Sequence, residues 1–310
     1  MVDGKTVLIT GCGSLAKALT KHMLLECKPK KIILYSRNEY LQSIAMGEIH
    51  DPKHLTRYFI GDVRDLFRLQ LAARGVDIVI HTAAMKRVES AEYNPSEAIA
   101  TNVDGTWNVI QACINTQVQR AVFISTDKAV MPVNLYGCTK AVGEKLWLHA
   151  NYYKPIFNAV RYGNVARSTG SVIPIFEEIA REKREFPVTD VRMSRFWVEM
   201  REAVGLVMTA LDGKPGYTYA LDSPTFKIVD LAKAMYARAK IKEVGNRGSE
   251  KLHETLVGAH EATRTTKVGD VYQIAPEFNL DDSQPSQGNV EELTSEKGNM
   301  SIAQIREKLK

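Results

Sequence analysis

The chain has 310 residues, of which 45% are hydrophobic and 25% are charged, so it is long enough to bury a substantial core as one large or two modest domains. Its 41 basic and 36 acidic residues are spread along the sequence and give a formal net charge of +5, with no basic arm or tail of the kind that binds nucleic acid. No apolar run approaches the roughly 18 residues that a membrane span requires, and no signal peptide precedes the first strand-like segment, so we expect a cytoplasmic protein.

Cysteine spacing argues against a zinc site and against a disulfide framework. Cys12, Cys27, Cys113 and Cys138 lie far apart and form no C-x-x-C pair. We therefore expect reduced thiols and no bound metal.

Short apolar runs alternate with segments of helical periodicity through the first half of the chain. The apolar runs predict strands at TVLIT (6–10), KIILYS (31–36), RYFIGDV (57–63), VDIVIHTAA (76–84), RAVFIST (120–126) and FNAVRYGNV (157–165). Helices are predicted at about 14–27, from about 38, at 95–115 and at 135–152. This alternation indicates a parallel sheet covered by helices on both faces, the doubly wound α/β (Rossmann) fold.

The second half of the chain has a looser order of mixed α and β segments. Helices are predicted at 171–183, 201–212, 229–240 and 250–257, a strand at 217–221, and an exposed polar loop at 280–300. These segments predict a smaller mixed α/β substrate domain that closes over the carboxyl edge of the sheet. We place the nucleotide-binding domain at 1–165, with returning elements around 196–225, and the substrate domain at 166–195 and 226–310.

A glycine-rich turn joins the first strand to the first helix. Its sequence is Gly11-Cys12-Gly13-Ser14-Leu15-Ala16, and this position is the context in which a G-x-G-x-x-A pattern binds a dinucleotide. Glycines let the backbone approach a pyrophosphate, and the helix N-terminus offers free N–H groups and a partial positive charge. The alternative is a plain tight loop, which the alternating strands that follow disfavour. Gly11, Gly13, Ser14 and Leu15 are therefore candidate cofactor-binding residues.

An arginine at the end of the second strand favours NADP over NAD. Ser36-Arg37 stands where an NAD-specific protein usually carries an acid for the ribose 2′-hydroxyl, and a guanidinium there suits a 2′-phosphate. NAD remains an alternative, because Arg37 can equally be a solvated surface charge. Asp62-Val63 after the third strand and Ala83 after the fourth are further candidate cofactor contacts, although an aspartate at a strand end is as often a turn or cap.

Tyr136 and Lys140 are four residues apart on a predicted helix, so both side chains project from one face. An ammonium near a phenol stabilises the phenolate and lowers its pKa towards neutral pH, which makes tyrosine a usable base. A Y-x-x-x-K pair occurs by chance in many helices, but this one directly follows the nucleotide-binding strands.

Ser125-Thr126-Asp127-Lys128 ends the fifth strand, at the sheet edge where doubly wound folds bind their ligands. The alternative interpretation is a turn or helix cap with a solvated lysine. An acid and an amine beside the Tyr136–Lys140 pair offer a second set of acid–base groups.

Several motifs together resemble the extended short-chain dehydrogenase/reductases, and more narrowly the inverting UDP-N-acetylglucosamine 4,6-dehydratases. They are YFIGDVRD (58–65), HTAAMKRVESAEYNP (81–95), STDKAVMPVNLYGCTK (125–140), RYGNV (161–165), GSVIP (170–174), VTDVRMSRFW (188–197), KIVDLAKAM (227–235) and RGSEKLHE (247–254). The resemblance runs through almost the whole chain and keeps the motifs in order.

The resemblance implies a role for each residue of the candidate catalytic set. Tyr136 would take the 4-hydroxyl proton of the sugar while hydride leaves C4 for the nicotinamide, with Thr126 bonded to the same oxygen and Lys140 holding the cofactor ribose. Lys128 would remove the C5 proton and Asp127 would protonate the departing 6-oxygen, after which hydride returns to C6. The presence of Tyr136, where a related retaining group has methionine, favours inversion at C5.

The resemblance also implies a UDP-sugar substrate and a homo-oligomer. Asn164 matches a residue that faces the diphosphate, Arg195 and Arg247 match residues that hold phosphates, and Glu250 matches a contact to the uridine ribose. Lys86, after HTAA, is a candidate sugar contact or a solvated loop lysine.

The chain departs from the family pattern at two places. Its glycine turn is one residue shorter than the usual T-G-x-x-G-x-x-G and ends in Ala16, and the arginine of the usual G-S-R-G-S is displaced to Arg167. These departures keep two alternatives open: a sugar-nucleotide 4-epimerase or retaining dehydratase, and a nucleotide-binding scaffold without catalysis.

Overall fold

A computed structural model of the chain describes residues 1–168, 171–182, 185–245, 248–277 and 288–310. The described strands are β1 (Thr6–Thr10), β2 (Lys31–Ser36), β3 (Thr56–Ile60), β4 (Ile78–His81), β5 (Arg120–Ile124), β6 (Ile156–Arg161), β7 (Asn164–Val165), β8 (Phe186–Val188), β9 (Ser194–Val198), β10 (Thr218–Leu221), β11 (Thr225–Lys227), β12 (Ile241–Glu243), β13 (Thr255–Val257), β14 (Thr265–Val268), β15 (Val271–Ile274) and β16 (Leu293–Thr294).

The described helices are α1 (Ser14–Glu26), α2 (Glu39–Glu48), α3 (Leu66–Ala73), α4 (Val88–Tyr93), α5 (Pro95–Ile99), α6 (Gly105–Asn115), α7 (Leu135–His149), α8 (Val172–Glu182), α9 (Met200–Asp212), α10 (Ile228–Met235), α11 (Ala259–Ala262) and α12 (Ile302–Lys308). A π-helical turn at Ala100–Asp104 links α5 to α6, and 3₁₀ turns occupy Asp127–Ala129 and Ala150–Tyr152. Within the described ranges, no helix has both the length and the apolar character needed to cross a bilayer.

The large sheet has the strand order β14-β15-β10-β6-β5-β4-β1-β2-β3, and its strands from β3 to β10 are parallel. Alternate residues of β1 point to opposite sides: Val7 and Ile9 join a buried cluster with α1 and α9, whereas Leu8 joins a second cluster with α3, α6 and α7. Apolar strands with helices on both faces are typical of parallel sheets. The doubly wound α/β fold predicted from the sequence is confirmed.

The hairpin β14–β15 adds two strands to the large sheet. Its residues, 265–274, fall in the range that the sequence assigns to the substrate domain. β14 pairs antiparallel with β15, which pairs antiparallel with β10. The predicted range 226–310 is therefore divided between the large sheet and the smaller unit. A hairpin at the edge of a sheet needs only one buried face. Strands β14 (TTKV) and β15 (VYQI) therefore lack the continuous apolar run that is typical of the central strands.

The predicted helix at 250–257 is wrong. Thr255–Val257 form β13, which pairs antiparallel with β16, and all three residues are buried. β-branched residues favour strands, and burial of this segment against its neighbours outweighs the helical spacing of its polar residues. Of the predicted exposed polar loop at 280–300, residues 280–287 lie outside the described residues, and the described part contains β16 and the buried Ser295 and Met300.

The smaller unit has its own core. Helices α8, α10 and α12 bury apolar residues around Phe186 of β8 and Trp197 of β9. β9 pairs with β11 and with β7, and β7 follows β6 of the large sheet after two residues. This short connection sets the smaller unit beside the carboxyl ends of the parallel strands.

Arg161, the last residue of β6, links several elements through a buried ion-pair network. Its guanidinium donates to Glu144 of α7 at 3.0 Å, to Glu261 of α11 at 2.7 Å and to the Leu256 carbonyl at 3.2 Å. Burial opposes ionisation of Glu261, but the hydrogen bonds and charge of Arg161 outweigh it and lower the pKa of Glu261 to about 2. Arg161 is therefore a structural residue rather than a ligand-binding one.

Arg161→Met would remove the cation that Glu144 and Glu261 share, and Glu261 would keep Arg264 at 3.6 Å. We expect the free energy of unfolding to fall by about 3–5 kcal/mol, measured by chemical denaturation followed by circular dichroism. Lys145→Met is the matched control, because Lys145 is 71% exposed in its ion pair with Glu277, and such surface pairs contribute about 0–1 kcal/mol. Equal losses in both variants would contradict a structural role for the Arg161 network.

Candidate active site

A cleft of about 660 Å³ lies along the carboxyl ends of β1 to β6. This edge of the sheet is where doubly wound folds bind their ligands. Among the residues predicted from the sequence, those that line the cleft are Gly11, Gly13, Ser14, Leu15, Ser36, Arg37, Asp62, Val63, Ala83, Lys86, Thr126, Asp127, Lys128, Tyr136, Lys140 and Asn164. The fold thus brings the predicted cofactor and catalytic residues into one cavity.

The glycine turn has the geometry of a phosphate cradle. Gly11 has φ +91°, and a Cβ there would lie 2.7 Å from the Thr82 hydroxyl oxygen, so only glycine fits. Gly13 is the N-cap of α1, no side chain caps the helix, and the space where its Cβ would stand is open. Ala16 is fully buried in the sheet core, which is the packing role of the last residue in such turns. The shortened turn therefore fits a dinucleotide pyrophosphate.

Arg37 carries an accessible positive charge at the mouth of the cleft. Its side chain is 55% exposed and lies 3.4 Å from Asp62, which also pairs with Arg64 at 2.8 Å. Asp62 accepts a hydrogen bond from the Arg64 backbone N–H as well, so it is both a turn residue and part of the cleft wall. Next to Arg37, Asn38 caps α2 by accepting from the Leu41 N–H at 2.9 Å.

Lys128 lies between two buried carboxylates. Its Nζ atom is 3.1 Å from Asp127 Oδ1 and 3.0 Å from Glu254 Oε1. Asp127 and Glu254 are only 1% and 2% exposed. The 3₁₀ turn at Asp127–Ala129 fixes this arrangement, because the Thr126 hydroxyl accepts from the Lys128 N–H and donates to Asp127 Oδ1 at 2.9 Å. The predicted acid and amine are in direct contact.

The two carboxylates respond differently to burial. Burial raises the pKa of Asp127, although Lys128 opposes this shift. Burial also disfavours the charged form of Glu254, but Lys128 and Arg195 outweigh it, so the pKa of Glu254 is lowered. Burial works against the charge of Lys128, but both carboxylates raise its pKa. Asp127 is thus suited to hold a proton, and Glu254 to stay ionised.

Tyr136 and Lys140 are buried side by side on α7, as their spacing predicts. Burial lowers the pKa of Lys140 to about 7, with Glu144 opposing, and its ammonium nitrogen lies 3.7 Å from the centroid of the Phe123 ring. Burial raises the pKa of Tyr136 to about 12, and the charge that opposes this shift is that of Lys128. The sequence predicted a lowered tyrosine pKa through Lys140. The structure differs because burial of Tyr136 disfavours its phenolate, while burial of Lys140 separately disfavours its ammonium.

A π-helical turn supports the cleft wall from behind. It places the Asn102 side chain to accept from the Met85 N–H at 2.8 Å and to donate to the Met85 carbonyl and to Thr139 of α7, both at 3.0 Å. The amide joins the loop after β4 to the helix that carries Tyr136. Neither Asn102 nor Glu254 could be predicted as a site residue from the sequence, because only the fold brings them to the site.

The predicted substrate residues divide into three groups. Lys86 and Asn164 line the cleft, and burial lowers the pKa of Lys86. Arg195 is 8% exposed and points into the protein, where it donates to the Ser194 and Leu252 carbonyls. Glu250 is exposed outside the lining of the cleft, and Arg247 lies outside the described residues.

The sheet order and the glycine turn define a dinucleotide-binding protein of the short-chain dehydrogenase/reductase class. The sequence model of a family described as polysaccharide biosynthesis protein matches residues 7–276. The chain belongs to this family of extended short-chain dehydrogenases/reductases, and the family predicted from the motifs is confirmed.

Two similar curated proteins have different activities. The inverting UDP-N-acetylglucosamine 4,6-dehydratase of Campylobacter jejuni is 44% identical over 291 residues, which span 92% of this chain and 86% of that protein. A UDP-glucose 4-epimerase of Rickettsia canadensis is 37% identical over 287 residues, which span 88% of this chain and 84% of that protein.

Solved structures share the whole fold. Pen from Bacillus thuringiensis superposes with a TM-score of 0.92 at 35% identity, covering 99% of this chain and 98% of that one. The dTDP-glucose 4,6-dehydratase DesIV from Streptomyces venezuelae superposes with a TM-score of 0.71 at 21% identity, covering 80% of this chain and 86% of that one. The second likeness concerns the fold alone.

Proposed function

We propose that this chain is a nucleotide-sugar 4,6-dehydratase that converts UDP-N-acetylglucosamine to a 4-keto-6-deoxy UDP-sugar with inversion at C5, using NADP. The observation that carries the proposal is the contact of Lys128 with Asp127 in the same cleft as Tyr136 and Lys140. An enzyme that only oxidises and reduces needs no second acid–base pair. The 44% identity to the C. jejuni enzyme supports the same assignment.

The cleft offers a position for each part of a dinucleotide. The open N-terminus of α1, with Gly11, Gly13, Ser14 and Leu15, would hold the pyrophosphate. Ser36 and Arg37 would meet a 2′-phosphate, and Asp62, Val63 and Ala83 would line the adenosine half. The bound nicotinamide supplies the hydride acceptor for C4 and the hydride donor for C6 of the sugar.

Tyr136 and Thr126 would act at the 4-hydroxyl. The Tyr136 phenolate would take the hydroxyl proton, and Thr126, which lines the same cleft, would contact the same oxygen. The pKa of Lys140, near 7, lets this side chain gain or lose a proton at neutral pH while it holds the cofactor ribose. A protonated Lys140 favours the phenolate.

Lys128 and Asp127 would perform the elimination. A 4-ketone acidifies the C5 proton, which the Lys128 amine removes, while Asp127 gives its proton to the 6-oxygen, which leaves as water. The raised pKa of buried Asp127 suits this acid role. Asn164 and Lys86 would contact the UDP-sugar from the cleft wall.

A sugar-nucleotide 4-epimerase is the second candidate, favoured by the 37% identity to the R. canadensis protein. An epimerase also oxidises C4 but does not expel the 6-hydroxyl, so it leaves Asp127 and Lys128 without a reaction step. A homo-oligomer in the cytoplasm, as expected from the sequence, belongs to the same proposal.

Incubation with UDP-N-acetylglucosamine and NADP⁺ in deuterated water separates these candidates. We expect a product that has lost one water and carries deuterium at C5, because Lys128 removes the C5 proton and inversion requires a solvent deuteron to be added on the opposite face. Mass spectrometry detects both changes, and NMR coupling constants at C5 give the configuration. A 4-epimer without a 4-keto product would contradict the proposed dehydration.

Lys128→Ala tests the role of Lys128 in the same assay. We expect the rate of dehydration to fall about 100-fold or more, the usual contribution of a general base. Because Lys128 contacts two buried carboxylates, the unfolding midpoint should fall as well, so the rates are compared at a temperature at which circular dichroism shows the variant to be folded. Lys145→Ala, on the exposed side of α7, is the control. An unchanged product yield would remove Lys128 from the mechanism.

Arg37→Ala tests the choice of NADP. We expect its dissociation constant for NADP⁺, measured by isothermal titration calorimetry, to rise about tenfold, because one charged hydrogen bond to the 2′-phosphate is lost. The affinity for NAD⁺ should stay unchanged. Arg57→Ala serves as the control, since exposed Arg57 lies outside the lining of the cleft. Equal losses for both dinucleotides would contradict the assignment of Arg37.

A further inference from the structure

We propose that Glu254 is a positioning residue of this site, which serves as the lasting counter-ion of the Lys128 ammonium and leaves Asp127 free to hold the proton for the departing hydroxyl. This inference rests on the proposed dehydration and adds to it a residue that acts through Lys128.

Two buried carboxylates share one lysine, so a single ammonium cannot balance both negative charges. Lys128 contacts Asp127 at 3.1 Å and Glu254 at 3.0 Å, and both carboxylates are almost fully buried. Each also has one oxygen, Asp127 Oδ2 and Glu254 Oε2, without a hydrogen-bond partner in the described part of the chain. Two buried carboxylates that share one ammonium favour a state in which one of them is protonated.

Neighbouring cations decide which carboxylate keeps its charge. The Arg195 guanidinium lies 3.8 Å from Glu254 Oε1, and Lys251 adds a further positive charge near Glu254. Arg195 is held in place by the Ser194 and Leu252 carbonyls, at 2.7 and 3.1 Å. Lys128 is the cation in hydrogen-bonding contact with Asp127 among the described residues. Glu254 therefore stays ionised and Asp127 takes the proton.

The backbone fixes Glu254 independently of Lys128. Its N–H donates to the Ser295 hydroxyl at 2.9 Å, and its carbonyl accepts from the Ser295 N–H at 2.8 Å. The segment before it, 248–253, is tied to the catalytic segment, because Asn134 donates to the Ser249 carbonyl at 2.8 Å and Lys251 donates to the Val130 carbonyl. The carboxylate is thus a rigid part of the site.

Glu254 has a defined part in the proposed elimination. Both carboxylates raise the pKa of Lys128, so the base is the fraction of the enzyme in which Lys128 has lost its proton. When this neutral amine takes the C5 proton it becomes an ammonium, and Glu254 at 3.0 Å stabilises that positive charge. Asp127 loses its proton to the 6-oxygen as the C6–O bond breaks, and water leaves. Hydride then returns to C6 and a solvent proton is added to C5 on the opposite face, while the Lys128 ammonium releases its proton to solvent. The proton that Tyr136 takes from the 4-hydroxyl balances the proton that Asp127 gives up, so the net loss is one water.

The charges around Glu254 give the direction of a pH effect. The titratable and charged groups that face it are Asp127, Lys128, Tyr136, Arg195 and Lys251. The negative charge of Glu254 raises the pKa of Asp127 and of Lys128. Its removal lowers both pKa values. Activity needs a protonated Asp127 and a neutral Lys128, so both limbs of the pH profile move to lower pH.

The test is Glu254→Gln, which keeps the shape of the side chain and removes its charge. We expect kcat for dehydration at the optimum pH of the unchanged enzyme to fall about 10- to 100-fold, the loss expected from one charged hydrogen bond, with little change in KM. The whole pH profile should shift to lower pH, and Glu254→Asp should restore part of both. Glu243→Gln, an exposed residue of β12, is the control and should match the unchanged enzyme. An unshifted profile would overturn the proposal.

A second readout does not depend on the reaction. In ligand-free protein with ¹³C-labelled lysine, the Lys128 resonance, assigned by its loss in Lys128→Arg, should titrate at lower pH in Glu254→Gln than in the unchanged protein. An equal titration would refute the counter-ion role even if the enzyme proves to have another substrate. Failure of the unchanged enzyme to release a 4-keto-6-deoxy sugar would instead refute the proposed dehydration.

Discussion

The site depends on one buried electrostatic arrangement, the contact of the Lys128 ammonium with the carboxylates of Asp127 and Glu254 at 3.1 and 3.0 Å. Burying an isolated charge is costly, and a buried pair is stable only where its geometry and its further hydrogen bonds are good. The chain meets this condition with a hydrogen bond from Thr126 to Asp127 and with Arg195, which lies 3.8 Å from the same Glu254 oxygen that Lys128 contacts. The same low-polarity surroundings that make the cluster costly also separate the pKa values of its two acids.

The fold assembles this cluster from distant parts of the chain. Asp127 and Lys128 come from the end of β5, a parallel strand at the centre of the sheet, whereas Glu254 and Arg195 come from the start of β13 and from β9 of the smaller unit. Two hydrogen bonds from the catalytic segment, involving Val130 and Asn134, hold the Glu254 segment against it. The position of the smaller unit therefore bears directly on the charge state of Lys128.

The sequence predicted those features that follow from local rules. Alternating apolar strands and helices predicted the parallel sheet, and the residues predicted at the glycine turn, at one strand end and on one helix face line the same cleft. The hairpin β14–β15 was missed because edge strands have polar, half-buried sequences. The segment before β13 was predicted as a helix, which concealed the contact of Glu254 with Lys128. Such contacts depend on tertiary packing, for which a single sequence carries no local pattern.

The sequence also assigned some charges to the wrong environment. Arg195 was expected to face a phosphate, but its guanidinium bonds to carbonyls inside the protein. Lys140 was expected to lower the pKa of Tyr136, yet burial lowers the pKa of Lys140 itself to about 7. Both differences depend on which side chains the folded chain buries, and the spacing of residues along the sequence does not show this.

The central claim is that Asp127, and not Glu254, carries a proton in the cluster. The most direct measurement is a ¹³C NMR titration of the side-chain carboxyl groups in the ligand-free protein, with the two resonances assigned through Asp127→Asn and Glu254→Gln. The account predicts that Asp127 titrates well above the ordinary value of about 3.9 for an aspartate and that Glu254 titrates below the ordinary value of about 4.3 for a glutamate. An Asp127 carboxyl that titrates at or below its ordinary value, with Glu254 holding the proton, would contradict it.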